Sequence, residues 1–217
     1  MIRSRSFSLA LAGLLALLVA GEVRAGVPTD QLRESIDRAV KTLEDPALKA
    51  PGKTQERRAA IRKVANDIFD FAETAKRSLA RHWPPRTDRE REEFVVLFGD
   101  LMERSYISKI ELYGGEKILY LGESVDGDLA AVRTKITTKQ GAEVPVDYRL
   151  LKRGDRWLVY DVSVEGVSLI SNYRTQFNKI IQTSSYADLV RMMKNKQAEV
   201  LFEEEAKAKS ADKKPAK

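Results

Sequence analysis

Residues 157–181 read WLVYDVSVEGVSLISNYRTQFNKII, and the period of the pattern changes halfway along. Trp157 to Glu165 is rich in β-branched and aromatic residues and alternates, the signature of a strand. Strict alternation puts Trp157, Val159 and Asp161 on one face and Leu158, Tyr160, Val162 and Val164 on the other. Gly166 breaks the run, and Ser168 is placed to cap a helix. From Leu169 the spacing is helical, with Ile170, Tyr173, Phe177, Ile180 and Ile181 on one side. A strand turned through one glycine into an amphipathic helix makes a tight corner whose two apolar faces meet.

Upstream of that corner the period is two. Lys117–Val125, Leu129–Thr138 and Val144–Arg153 read as three more strands, separated by the turn dipeptides Asp126-Gly127, Gln140-Gly141 and Gly154-Asp155. Such short links imply an antiparallel meander of four strands. Before the sheet the period is helical. Leu32, Ile36, Ala39, Val40 and Leu43 form a stripe behind a cap at Thr29 or Asp30. Ala60, Ile61, Val64, Ala65, Ile68 and Phe69 form a second. Asp70 caps a short third helix through Leu79, and Thr87 with Glu90 makes a capping box for a fourth that carries Phe94, Phe98, Leu101, Met102 and Tyr106. Pro46 and Pro51-Gly52 close the first helical region, and a last helix spans about Ser185 to Phe202. Helices first, then a sheet, then helices is the order of an α+β fold.

The ends differ from the middle. Arg3 and Arg5 precede a fourteen-residue uncharged run, Phe7–Ala20, which is short of the ~20 residues that cross a bilayer. Val23-Arg24-Ala25 fits a cleavage site, so residues 1–25 are expected to be an export signal and residues 26–202 a single domain. Residues 203–217 are almost wholly Glu, Ala and Lys and are expected to be a disordered charged tail.

The inventory for chemistry is thin. The 217-residue chain has no cysteine and one histidine, His82, so thiolate ligands and histidine pairs are excluded. No phosphate-binding loop or nucleophile elbow occurs, and no cofactor, metal site or catalytic residue is assigned. Asp161 and Glu165 share a strand face, but capping or ion pairing accounts for Asp161 better than acid–base work does. The formal charge of +6 is spread among acids and lacks an aromatic stripe, so nucleic acid is not an expected partner. What is abundant is apolar surface, which packs as a solid core or lines a hollow one; composition does not separate the two.

Two blocks carry a resemblance. Tyr160-Asp161, Glu165-Gly166-Val167-Ser168, Asn172-Tyr173-Arg174 and Gln176-Phe177 form the first. Arg81-His82-Trp83, Glu93-Phe94-Val95, Leu97-Phe98 and Tyr106 form the second. In this order they resemble the MlaC family of periplasmic phospholipid-binding proteins, also known as toluene-tolerance or auxiliary ABC-transport proteins, over roughly residues 27–197. The resemblance implies a curved four-stranded antiparallel sheet packed with N-terminal and C-terminal helices around an apolar cavity, NTF2-like in appearance. It implies a periplasmic carrier of phospholipid that works between an inner-membrane ABC transporter with its MCE-domain protein and an outer-membrane lipoprotein complex. By face and by motif, the expected lipid-lining residues are Phe94, Phe98, Leu101, Met102, Val146, Tyr148, Leu150, Tyr160, Val162, Val164, Val167, Ile170, Tyr173 and Phe177, with Tyr106 and Arg174 near the mouth. Tyr106 as core and Arg174 paired with Asp161 or Glu165 are open alternatives. So are a hopanoid-type cargo, a solid-cored adaptor, and an NTF2-like enzyme acting on a small apolar substrate through Asp161 and Tyr106.

Overall fold

The computed structural model describes residues 27–195; the expected export signal, the charged tail and the end of the last helix lie outside them. Seven α-helices and five strands follow in the order α1 (Val27–Glu44), α2 (Pro46–Lys49), α3 (Thr54–Ile68), α4 (Phe71–Leu79), α5 (Asp88–Glu111), β1 (Lys117–Asp126), β2 (Leu129–Thr137), β3 (Glu143–Arg153), β4 (Arg156–Val164), β5 (Val167–Ser168), α6 (Leu169–Thr183) and α7 (Tyr186–Lys194). A 3-10 turn at Ala80–His82 follows α4.

Local chemistry sets most boundaries. Asp70 accepts from the Glu73 amide and starts α4. Thr87 and Glu90 close a reciprocal capping box on α5. Ser168 accepts from the Ser171 amide and starts α6. Each such cap answers one of the four amides that a helix start leaves unpaired. Three expectations change. Helix α1 already runs from Val27, so Thr29 is no cap; its amide and hydroxyl donate to Glu123 Oε2 at 2.8 and 2.5 Å. Asp45 caps a four-residue helix, α2, where two prolines had suggested only a break. The last helix is described only as far as Lys194.

The sheet is an antiparallel meander ordered β1-β2-β3-β4-β5, five strands where four were expected. The extra strand is Val167-Ser168, folded back on Val164 and Ser163. Glu165 and Gly166 both have positive φ, 50° and 79°, the conformation a two-residue hairpin turn requires and glycine tolerates best.

Register supplies the main correction. Leu150 pairs with Val159, but Arg149 pairs with Asp161, so Tyr160 is an extra residue, a β-bulge. A bulge shifts the phase of everything beyond it. Trp157, Val159, Val162 and Val164 therefore share a face with Leu150, Tyr148 and Val146, while Leu158, Asp161 and Ser163 take the other; Tyr160 does not join Val162 and Val164 as alternation implied. A second bulge falls between Tyr120 and Gly122 in β1. Bulges bend a sheet and add twist. The curl shows in α1: Thr29 reaches Glu123 on β1 while Gln31 Oε1 accepts from the Trp157 amide of β4 at 2.8 Å. In a flat sheet those strands lie roughly 14 Å apart, three spacings of about 4.8 Å.

Candidate functional site

Among the described residues the apolar interior forms three clusters, two large and one small. Leu32 of α1 packs with Ala130, Val132, Leu150 and Val159 on the inner face of the sheet. Ala75, Leu79, Phe94, Phe98, Leu101, Ile170, Tyr173, Phe177, Leu189 and Met193 form a separate cluster among α4, α5, α6 and α7. The helical cluster is held by rings. Phe98 meets Tyr173 and Phe177 edge-on, with centroids at 5.1 and 5.4 Å, and Phe94 meets Phe177 at 5.6 Å. Edge-to-face pairs set the positive rim of one ring against the negative face of the other. The backbone of α5 runs beside α4 and α7. Its far end is tied elsewhere, with Ile107 packed against Leu43 and Ile61.

Against this frame the expected residues separate. Phe94, Phe98, Leu101, Ile170, Tyr173 and Phe177 are buried in the helical cluster. Met102 and Tyr106 are half-buried at its margin. Leu150 is buried in the sheet cluster, and Tyr148 and Val162 are half-buried at its margin. Val146 is buried, and its carbonyl accepts from Thr134 Oγ1 at 2.7 Å. Val164 and Val167 keep 38% and 48% of their surface, at the β4–β5 hairpin. Tyr160 is buried at its bulge; the Arg77 guanidinium covers its ring at 4.0 Å, and its carbonyl accepts from Thr74. Arg174 is exposed and donates to Ser171 Oγ at 3.0 Å, and neither Asp161 nor Glu165 is its partner.

The polar groups that an acid–base reading would use are bonded to neighbours. Asp161 accepts from the Ser168 hydroxyl at 2.6 Å and the Ile170 amide at 3.2 Å, so it braces the corner where β4 becomes α6. Tyr106 hydrogen-bonds Tyr173, and burial pushes its phenol above the usual range. The acid–base pair that an enzyme reading needs is thus divided between two separate bonding groups. His82 Nε2 lies 2.9 Å from Asn178 Oδ1, a tie between the 3-10 turn and α6. Tyr148 is enclosed deeply enough that burial raises its phenol to about 12, yet it retains surface a small molecule can touch.

Two open grooves were not foreseen. One, of about 420 Å³, lies between α1 and β1, with Ile36, Val40, Ile118 and Tyr120 as apolar floor and Arg33, Asp37 and Glu116 as charged wall. The other, of about 440 Å³, lies between α5 and α7 beside Glu90, Glu93, Tyr186 and Lys194. The clue to the first was the alternation Ile118, Tyr120 on the same strand face, which reads as plain strand until the sheet curls.

Comparison with known proteins follows these features. The family model described as MlaC protein matches residues 33–195. The chain is 24% identical over 138 residues to the intermembrane phospholipid transport system binding protein MlaC of Haemophilus influenzae, covering 60% of this chain and 64% of that protein. It is 31% identical over 83 residues to the toluene tolerance protein ttg2D of Pseudomonas putida, covering 35% and 39%. The chain thus spans less than two thirds of the length of either relative. Its fold matches a phospholipid-binding protein from Ralstonia solanacearum solved in complex with a phospholipid, at TM-score 0.70 and 23% identity, over 79% of this chain and 97% of that one. Because the family model runs from within α1 to the end of α7 and takes in the whole sheet, three quarters of the chain, the chain belongs to the MlaC family.

Proposed function

We propose that this protein carries phospholipid, holding acyl chains between the inner face of the curled sheet and α5. The observation that supports this best is the pair of half-buried apolar margins. Met102 and Tyr106 edge the helical cluster, and Tyr120, Tyr148 and Val162 edge the sheet cluster. A solid domain would pack two such margins together, because apolar surface left open costs about 25 cal/mol per Å². A ligand with a hydrocarbon body removes that cost. In this reading Met102, Tyr106, Val146, Tyr148, Val162 and Val164 meet the chains. Phe94, Phe98, Leu101, Ile170, Tyr173 and Phe177 form the rigid wall behind them.

Carriage needs no reaction. Two acyl chains with roughly 30 methylenes cost about 24 kcal/mol in water at ~0.8 kcal/mol each. Transfer into an equally apolar pocket is nearly neutral, so the protein supplies an environment and its partners supply direction. The printed names of the relatives, an intermembrane phospholipid transport protein and a toluene tolerance protein, fit that role. We place residues 26–202 as one lipid-binding domain in the periplasm, exported by residues 1–25. It exchanges lipid there with an inner-membrane ABC transporter bearing an MCE-domain protein and with an outer-membrane lipoprotein complex.

Organic extraction and mass spectrometry of gently purified mature protein test the proposal. About one phospholipid per chain is expected, falling severalfold in Val162→Trp, which fills the space proposed for the tails. Lipid-free wild type from several preparations would refute it.

A further inference from the structure

The groove between α1 and β1 adjoins the sheet cluster. Tyr120 lines the groove and also packs on that cluster, as does Tyr148. The two phenols are close enough that the Tyr120 oxygen disfavours ionisation of Tyr148.

At that surface the charges are arranged in pairs. Arg33 is exposed and lies over the Tyr120 ring, 4.6 Å from its centroid. The stacking holds the guanidinium at the ring face without using an N–H donor in an ion pair. Among the described residues, Arg33 forms no ion pair and Asp37 accepts no hydrogen bond. Residues four apart on a helix stand roughly 5–6 Å apart at Cβ. Arg33 and Asp37 are thus neighbours on one face of α1 and both line the groove. Glu116 adds a second carboxylate, with one oxygen held by the Gly114 amide at 2.8 Å, and Lys139 lies outside the groove beside it. Within the groove, carboxylates outnumber cations. A phosphate alone is poorly matched to such a wall, whereas a phosphate carrying its own cation is well matched.

We propose that this groove is the head-group site: Arg33 takes the lipid phosphate and Asp37 a head-group ammonium, so the protein prefers ethanolamine-headed to glycerol-headed phospholipid. The proposal rests on the carrier reading and adds to it the position of the mouth and the class of head group. Its size, about 420 Å³, suits a small polar ligand.

The test loads delipidated full-length mature protein from vesicles holding equal amounts of ethanolamine- and glycerol-headed phospholipid, and quantifies extracted lipid by mass spectrometry. Wild type should be enriched in the ethanolamine lipid by roughly two- to fivefold, the range an exposed ion pair supplies. Asp37→Asn should bring the ratio to that of the vesicles. Arg33→Ala should lower the total for both lipids by a similar factor. Circular dichroism checks that both variants of these exposed positions are folded. A loaded wild type with the vesicle ratio, or variants matching wild type in ratio and total, would overturn the head-group site alone. A wild type that takes up no lipid overturns the carrier reading and this proposal with it.

Discussion

Phe98 distinguishes a wall from a lining. Its side chain is fully buried, and three rings touch it: Phe94 stacked at 5.9 Å, Tyr173 edge-on at 5.1 Å and Phe177 edge-on at 5.4 Å. Phe98→Ala removes the transfer energy of a benzyl group and leaves a void that rings on three sides cannot collapse to fill. Such substitutions cost about 3–5 kcal/mol. For a domain of this size each kcal/mol lowers the melting temperature by roughly 2–4 °C, so a loss near 4 kcal/mol lowers it by ~8–16 °C. The assay is urea and thermal unfolding of protein stripped of lipid, because a ligand that binds only the folded state adds stability of its own. Met102→Ala, at the margin of the same cluster, should cost less than half as much, since its side chain keeps exposed surface and leaves no closed void. If Phe98→Ala unfolds within ~1 kcal/mol of wild type while its lipid content falls, Phe98 lines a hollow and the division into wall and chamber is wrong.

Two further outcomes follow from buried polar groups. Gln176 is 3% exposed, and among the described residues neither atom of its amide has a hydrogen-bond partner, so Gln176→Leu should stabilise lipid-free protein by about 1–2 kcal/mol in urea unfolding. A destabilisation would mean that the amide is satisfied by water or ligand. Tyr148 ionises at about 12 when folded and near 10 when unfolded, so between those values the unfolded chain binds fewer protons than the folded one. Stability is therefore unaffected below pH ~10 and falls as pH rises towards 12, by up to ~1.4 kcal/mol per unit from this residue, and Tyr148→Phe should flatten that slope.

Local chemistry was legible wherever a few neighbouring residues decide the outcome. Capping at Asp70, Thr87 and Ser168 depends on an oxygen two or three residues from an unpaired amide, and all three caps form. The strands at β1 to β4 and the helical stripe of α6 follow their periods for the same reason. The short strand Val167-Ser168 was missed because two residues carry no period, and its pairing with Val164 comes from the positive-φ turn at Glu165-Gly166. The faces of β4 were misread beyond Val159, because a bulge belongs to a pair of strands, and nothing within Tyr160 itself announces it. Within the candidate site, the aromatic residues of α5 and α6 were identifiable as one apolar group. Which of them are enclosed and which stand at a margin follows from how α4, α6 and α7 pack around α5.

The sequence by itself determined the order of helices and strands, the caps that start them and the two motif blocks that identify the family, because these depend on contacts within a few residues along the chain. Only the tertiary structure decided that the apolar interior is divided into separate clusters, that Tyr160 steps out of register, and that Arg33 and Asp37 stand over a groove floored by Tyr120. Each of these is a relation between residues tens of positions apart, set by the curl of a sheet, and curl is a sum over bulges, twist and the helices that cross it.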